Sequence, residues 1–353
     1  MPSLDSLTPD HHQEVVLSLS AERTEIVTGV AGSGKSLILL KKAKQVAVQT
    51  ESYAIIVYTK SLKQFFKNEL KEIDPSGRHV YHYHQWLAKS NKPHYDYLFI
   101  DECQDFTADD INNFRQYGTY CWFFGDTDQT IMTFDDRHPQ SVQSTMAQLG
   151  KNHPRTLAIN YRLTRENAAL AEFIGRQFNP GLQLVHACVK NGPKPILVQT
   201  NNQYQYLLDW CNDHPGEDVG ILAYLNDQVV AIKDFFEQNG VPVQWKTQDS
   251  MHIDFQSTSP KVITWHCAKG LQFQHVFILY AGGQDYSYYV DPYVRSKPAL
   301  YVACSRPLEW LRILHTNSPY STFPPIGHSV WGVIDTARRQ NNPFDVDPDY
   351  LPF

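Results

Sequence analysis

The chain has 353 residues, which suits two domains at roughly 150 residues each better than one or three. Hydrophobic residues make up 42% and charged residues 19%, a globular composition that is neither disordered, collagen-like nor disulfide-dense. Thirty-one Lys plus Arg against 37 Asp plus Glu leave a net charge of −6. That argues against a protein that coats nucleic acid through bulk charge, and leaves room for a local basic groove. The amino terminus lacks the basic-then-apolar order of a signal peptide, and no apolar run is long enough to span a bilayer. A cytoplasmic location without membrane association is the expectation. The six cysteines are scattered without a C-x-x-C pair, and His11/His12 and His82/His84 lack a partner pair at metal spacing, so no zinc site is indicated.

In chain order, β-rich runs alternate with amphipathic stretches, the pattern of βα units on a parallel sheet. The spacing predicts strands over residues 24–29, 52–59, 97–100 and 120–124, with helices over 35–48 and 62–72. A polar connection near residue 155 leads into a second series. Its strands are expected over 195–199, 219–224, 262–265, 275–280 and 311–315, and its helices over 164–178, 203–211, 227–240 and 299–305. From residue 316 a Pro/aromatic tail is expected to wrap the surface or bind a partner. The domain reading is therefore 1–155, 156–315 and a tail 316–353.

Gly29-Val-Ala-Gly32-Ser33-Gly34-Lys35-Ser36 is a complete G-x-x-x-x-G-K-S phosphate loop between a predicted strand and a predicted helix. Its glycines let backbone N–H groups curl around a triphosphate at a helix amino terminus; Lys35 neutralises the β and γ phosphates and Ser36 holds Mg²⁺. Asp101 and Glu102 follow the apolar run Tyr97-Leu-Phe-Ile, where an open α/β sheet presents its ligand site. Asp101 suits the Mg²⁺ shell, and Glu102 suits orientation or deprotonation of the attacking water. ATP and Mg²⁺ are the implied cofactors.

Asp101-Glu102-Cys-Gln104-Asp105, with this phosphate loop, resembles the UvrD/Rep-like branch of the superfamily 1 helicases, and further pieces occur in that family's order. Phe124-Gly-Asp126-Thr-Asp128-Gln129 is similar to its third motif, whose Gln senses the γ phosphate. Asn160-Tyr161-Arg162 is similar to the fourth, opening the second domain with an arginine aimed at the nucleotide. Thr264-Trp-His266-Cys-Ala-Lys269-Gly270-Leu-Gln272-Phe273 is similar to T-x-H-x-x-K-G-L-E-F. Tyr301-Val-Ala-Cys-Ser305-Arg306 is similar to the sixth, whose arginine acts as a finger. The resemblance implies two RecA-like P-loop NTPase domains, each a mainly parallel sheet flanked by helices, with Glu102, Gln129, Arg162 and Arg306 as catalytic residues. It also implies nucleotide contacts from Gly270 and Gln272 and adenine recognition by Gln13, although Gln13 falls two residues later than the commonest spacing. For nucleic acid it points to Thr59, Lys60, Tyr83, His84, Trp86, Phe134 and His266. Lys60, Lys63, Lys67 and Lys71 recur at helical spacing, which also fits a plain solvated face.

The sequence departs from the family in lacking both large insertions of duplex-unwinding relatives, so weak or no unwinding by the chain alone is the expectation. Gln272 replaces the usual Glu, and Asp135 stands where relatives often carry Arg. Two readings follow. One is an ATPase motor on single-stranded nucleic acid, DNA rather than RNA. The other is a nucleotide-driven regulatory subunit that controls a partner protein such as a nuclease, in the setting of phage defence.

Overall fold

Runs such as Tyr53–Val57, Val219–Ala223 and Lys261–Thr264 are buried at every position, as parallel strands covered on both faces must be. The computed structural model describes residues 8–126, 129, 138–247, 251–254, 257–279, 297–316, 319 and 321–336. The first half contains α1 (His11–Ser18), β1 (Glu25–Gly29), α2 (Lys35–Ala47), β2 (Tyr53–Val57), α3 (Lys60–Glu69), β3 (Val80–His82) and α4 (Tyr83–Ala88). It continues with β4 (Tyr95–Ile100), α5 (Ala108–Tyr117), β5 (Gly118–Gly125), α6 (Val142–Gln148) and β6 (Arg155–Leu157). These strands form a six-stranded sheet in the order β3-β2-β4-β5-β1-β6, parallel throughout.

Alternate residues of one strand serve opposite faces. Ile55, Val57, Phe99, Trp122 and Phe124 pack under α1, α2 and α3, while Ala54, Ile56, Leu98, Ile100 and Phe123 pack with Trp86, Ile111, Phe114 and Val142 of α4, α5 and α6. That is the two-residue period of a strand, read out as two apolar layers.

The second half opens with β7 (Asn160–Thr164), α7 (Arg165–Gly175), α8 (Leu184–Ala187) and β8 (Cys188–Lys190), then β9 (Ile196–Gln199), α9 (Gln203–Asp213), β10 (Val219–Ala223) and α10 (Asn226–Gln238). It closes with β11 (Gln244–Lys246), β12 (Met251–His252), β13 (Lys261–Thr264), β14 (Phe273–Ile278), α11 (Lys297–Cys304), β15 (Pro307–His315) and β16 (Gly332–Asp335). The eight-stranded sheet runs β12-β11-β13-β10-β14-β15-β9-β16, and β7 pairs with β8 apart from it. Only the β11–β12 pair of the larger sheet is antiparallel. The fold is mixed α/β, two large parallel sheets flanked by helices. Among the described residues no helix is long and apolar enough to cross a membrane.

Two features differ from the sequence expectation. The first sheet extends to Leu157 through β6, which pairs with β1. Part of the expected tail belongs to the second core: β16 pairs with β9, and Phe323 and Trp331 are buried in the second sheet's apolar cluster. An edge strand of four residues is too short to show an alternation against its Pro-rich surroundings.

Order in the first sheet brings the motif residues together, because β5 lies between β4 and β1. The carboxyl ends of these three strands carry Asp101/Glu102, Asp126 and the phosphate loop, so residues far apart in sequence meet at one edge. Helix α4 supports this arrangement from beneath: Trp86 is fully buried, and its indole N–H donates to Asn113 Oδ1 at 2.9 Å. Trp86→Ala is expected to lower the unfolding free energy by about 3 to 5 kcal/mol, measured by urea titration with the slope unchanged.

Candidate nucleotide site

The phosphate loop is formed by its own backbone. Gly32 and Gly34 lie at φ +78° and +84°, the left-handed region that glycine enters without penalty. At Gly32 a Cβ would also sit 2.4 Å from Asn160 Oδ1 and 2.7 Å from Arg162 Cβ. Gly32 is therefore required twice, by its own φ and by the closeness of β7. Gly34 caps α2 without a side-chain hydrogen bond, so the amides of the first turn remain available to an anion. Lys35 is buried and donates to the carbonyls of Gly29 at 2.7 Å and Val30 at 3.1 Å. The Ser33 hydroxyl is buried with no hydrogen-bond partner.

Gln13 reaches the loop through local chemistry. Asp10 caps α1 in a reciprocal box, its carboxylate accepting from Gln13 N at 2.9 Å while Gln13 Oε1 accepts from Asp10 N at 3.2 Å. The Gln13 amide nitrogen then donates to Ser33 O at 3.0 Å. Its unusual spacing in sequence is absorbed by the capping box.

Ser36 Oγ donates to Asp101 Oδ2 at 2.7 Å. Asp101 is buried, and burial, followed by the neighbouring Glu102 charge, pushes its carboxyl up to about 7. Two hard oxygens in a site that penalises bare carboxylate fit Mg²⁺, which would relieve that penalty. Glu102 is the one described non-glycine residue at positive φ, +55°. Such strain is held by surrounding contacts and collects at functional sites. Burial alone would raise the Glu102 carboxyl, but Lys269, Lys35 and the Gln104 amide outweigh it, and the net direction is down. Gln104 Nε2 donates to Glu102 Oε2 at 2.5 Å, and Gln104 Oε1 accepts from Asp126 N at 2.9 Å.

The second half closes over this edge. Arg306 Nη2 donates to Gln129 Oε1 at 2.9 Å, and Gln129 Nε2 donates to Asp126 Oδ2 at 2.7 Å. Arg162 Nε and Nη2 are buried without a hydrogen-bond partner. Desolvation lowers the Arg162 guanidinium to about 10, and burial, then the proximity of Arg162, lowers that of Arg306. Two neighbouring guanidinium groups, with Arg162 keeping two nitrogens without acceptors, define a place for an anion with several oxygens.

A cavity of about 200 Å³ joins these groups. Gln13, Gly32, Ser33, Gly34, Lys35 and Ser36 line one side, and Arg162, Gly270, Gln272 and Arg306 the other, with Glu102 and Gln129 on its wall. Gly29 and Asp101 are not among the residues that line it. Lys190, Tyr161, Phe65 and Leu308 also line it; Lys190 and Leu308 carry no sequence motif, and only folding brings them here.

The residues expected at nucleic acid divide. Tyr83 and Trp86 are corrected to core positions: both are buried, with the Tyr83 hydroxyl donating to Asp110 Oδ1 at 2.6 Å and Trp86 packed among Tyr81, Tyr95, Phe114 and Tyr117. Neither ring has a face to offer a base. Thr59 is buried, and its hydroxyl caps α3 by accepting from Leu62 N at 3.2 Å. Lys60 and His84 are exposed and His266 is half-buried. Phe134 and Asp135 lie outside the described residues. Near this surface His82 is pushed down to about 4, first by burial and then by His84, Lys60, Lys63 and Lys246. Those groups mark a locally positive region fed from both halves, since Lys246 belongs to β11.

Residues 25–168 match the family model described as the viral superfamily 1 RNA helicase core domain. No curated protein matches the chain. Among solved structures, the chain is similar to the C-terminal domain of a possible DNA helicase from Lactobacillus plantarum WCFS1, with 18% identity, 49% of this chain and 98% of that one covered, and a TM-score of 0.37. It is also similar to Arterivirus nonstructural protein 10, a helicase, at 14% identity and TM-score 0.45, covering 88% of this chain and 63% of that one. The same viral helicase in complex with DNA gives 15%, 0.45, 85% and 62%. This chain thus spans less than two thirds of the viral helicase. The match to a superfamily 1 helicase core is thus confined to residues 25–168, and the geometry builds a cavity lined by the G-x-x-x-x-G-K-S loop on one side and by two arginines on the other.

Because Glu102 holds a left-handed backbone, Glu102→Gly is expected to be more stable than Glu102→Ala by about 1 kcal/mol. Urea unfolding of the two variants measures the difference directly.

Proposed function

We propose that the chain is an ATP-hydrolysing superfamily 1 motor of reduced, UvrD/Rep-like form that acts on single-stranded nucleic acid, with DNA the preferred strand. The observation that carries this reading is the pair of arginines from the second half, half-buried Arg162 and buried Arg306, facing the phosphate loop of the first across one cavity. The Asp-Glu-x-Gln-Asp stretch and the T-x-H-x-x-K-G-L-Q-F stretch support the branch.

Lys35 and the first-turn amides of α2 hold the β and γ phosphates, and Gln13 orients the base end. Ser36 and Asp101 hold Mg²⁺, which when bound supplies charge neutralisation on the phosphate oxygens. Glu102, kept ionised by Lys269 and Lys35, accepts a proton from the attacking water. Gln129 ties the γ-phosphate position to Arg306, and Arg162 and Arg306 stabilise the charge that develops on the transferred group. Loss of the γ phosphate removes the anion those arginines face, so the cleft between the halves loosens after each turnover. The positive surface around Lys60, Lys63 and His84 provides a path for the strand, and the core without the two large insertions provides motor action without autonomous duplex unwinding.

An ATPase assay with and without single-stranded DNA, single-stranded RNA and duplex tests the reading. Stimulation by single strands is expected, and Lys35→Ala and Glu102→Gln should each abolish turnover, with Glu102→Gln still binding ATP. Turnover indifferent to every nucleic acid would sink the motor reading in favour of the nucleotide-driven regulatory subunit; retained turnover in Glu102→Gln would refute the base assignment. Lys60→Ala combined with Lys63→Ala should weaken single-strand binding and reduce the slope of log affinity against log salt by about 1.4, at about 0.7 for each phosphate no longer neutralised. Titrations at several salt concentrations read that slope.

A further inference from the structure

Lys269 lies in the turn after β13, yet its ammonium ends inside the first half. It is 1% exposed, donates to Asp105 Oδ2 at 2.7 Å and to the Gln129 carbonyl at 2.6 Å, and stands 3.6 Å from Glu102 Oε2. Asp105 is itself fully buried. The turn can enter because Gly270 adopts φ +81° and lies against Leu62 of α3, which a Cβ there would approach to 3.3 Å.

Three groups of the first half thus meet one cation of the second. Glu102 is also fixed by Gln104, whose other end holds Asp126 N. Gln129 is gripped twice from the second half, at its carbonyl by Lys269 and at its side chain by Arg306. Lys269 does not line the nucleotide cavity, so it acts through the groups it holds. A buried ammonium is tolerated only with such complete pairing, and its removal frees the Glu102 carboxylate and the Gln129 backbone together.

We infer that Lys269 is a positioning residue: docked from the second half onto Asp105, it holds Glu102 and Gln129 in the arrangement that turnover needs, so that hydrolysis is licensed only when the two halves are closed. The inference rests on the ATPase reading and adds to it the device that couples closure to water attack.

Steady-state ATPase measurements on full-length Lys269→Met, beside affinity for a non-hydrolysable ATP analogue, test it. Turnover at saturating ATP should fall on the order of 10²-fold, as for a misplaced catalytic group, while analogue affinity stays within about threefold. Lys269→Arg, which keeps the charge but not the compact ammonium, should recover part of the turnover. Asp105→Asn, removing the anchor and not the cation, should show the same split between turnover and affinity. Turnover within about twofold of wild type in Lys269→Met would overturn the inference and leave the ATPase reading intact. Affinity falling in step with turnover in both Lys269→Met and Asp105→Asn would also overturn it, by assigning the pair to the fold. No ATP turnover in the wild-type chain would instead defeat the underlying reading.

Discussion

Charge compensation across the two halves is the constraint on which the rest of the molecule depends. Asp101, Glu102, Asp105 and Asp126 are all buried at the carboxyl edge of the first sheet, where like charges out of water repel strongly. Lys35 comes from the same half, but Lys269, Arg162 and Arg306 come from the other. Burial works against the charge on each of these three, and carboxylates of this group are among the neighbours that favour it. Neither half can bury its own charges comfortably alone. In the proposed motor, their closure is thereby tied to whatever occupies the cavity between them.

That compensation explains why the site is built from positions that would be poor choices for stability. Glu102 occupies a left-handed backbone that costs about 1 to 2 kcal/mol for a side-chain-bearing residue, and the two arginines are desolvated. Arg162 keeps donors without acceptors. Packing supplies the offset: each sheet has an apolar layer on both faces, which gives a rigid base for a strained edge. Arg162 comes from within β7, Lys269 from the turn after β13 and Arg306 from just beyond α11, so three separate elements of the second half supply the compensating charge.

Much of the fold was legible because its strands are fully buried and its helices amphipathic. The predicted runs at 24–29, 97–100, 219–224 and 262–265 fall within a residue or two of β1, β4, β10 and β13, with β4 beginning at Tyr95. Short edge elements were not legible. Strands β3, β6 and β8 have three residues each, and β16 hides in a Pro-rich stretch; their pairing comes from neighbours rather than from their own pattern. Aromatic residues misled for the same reason. Tyr83 and Trp86 have the composition of a stacking platform, but burial, which no local pattern encodes, assigns them to the core.

By itself the sequence determined the phosphate loop, the acidic strand end and the order of the motifs, because each needs only residue types at short spacing that local backbone geometry converts into a site. Tertiary structure alone decided which of these meet. The placing of β5 between β4 and β1, the seating of Gln13 through a capping box, the entry of Lys190 and Leu308 into the cavity and the reach of Lys269 to Asp105 depend on contacts between residues distant in the chain. Those contacts follow from how two sheets bury their apolar faces and balance their charges, which is a property of the packed molecule and not of any segment.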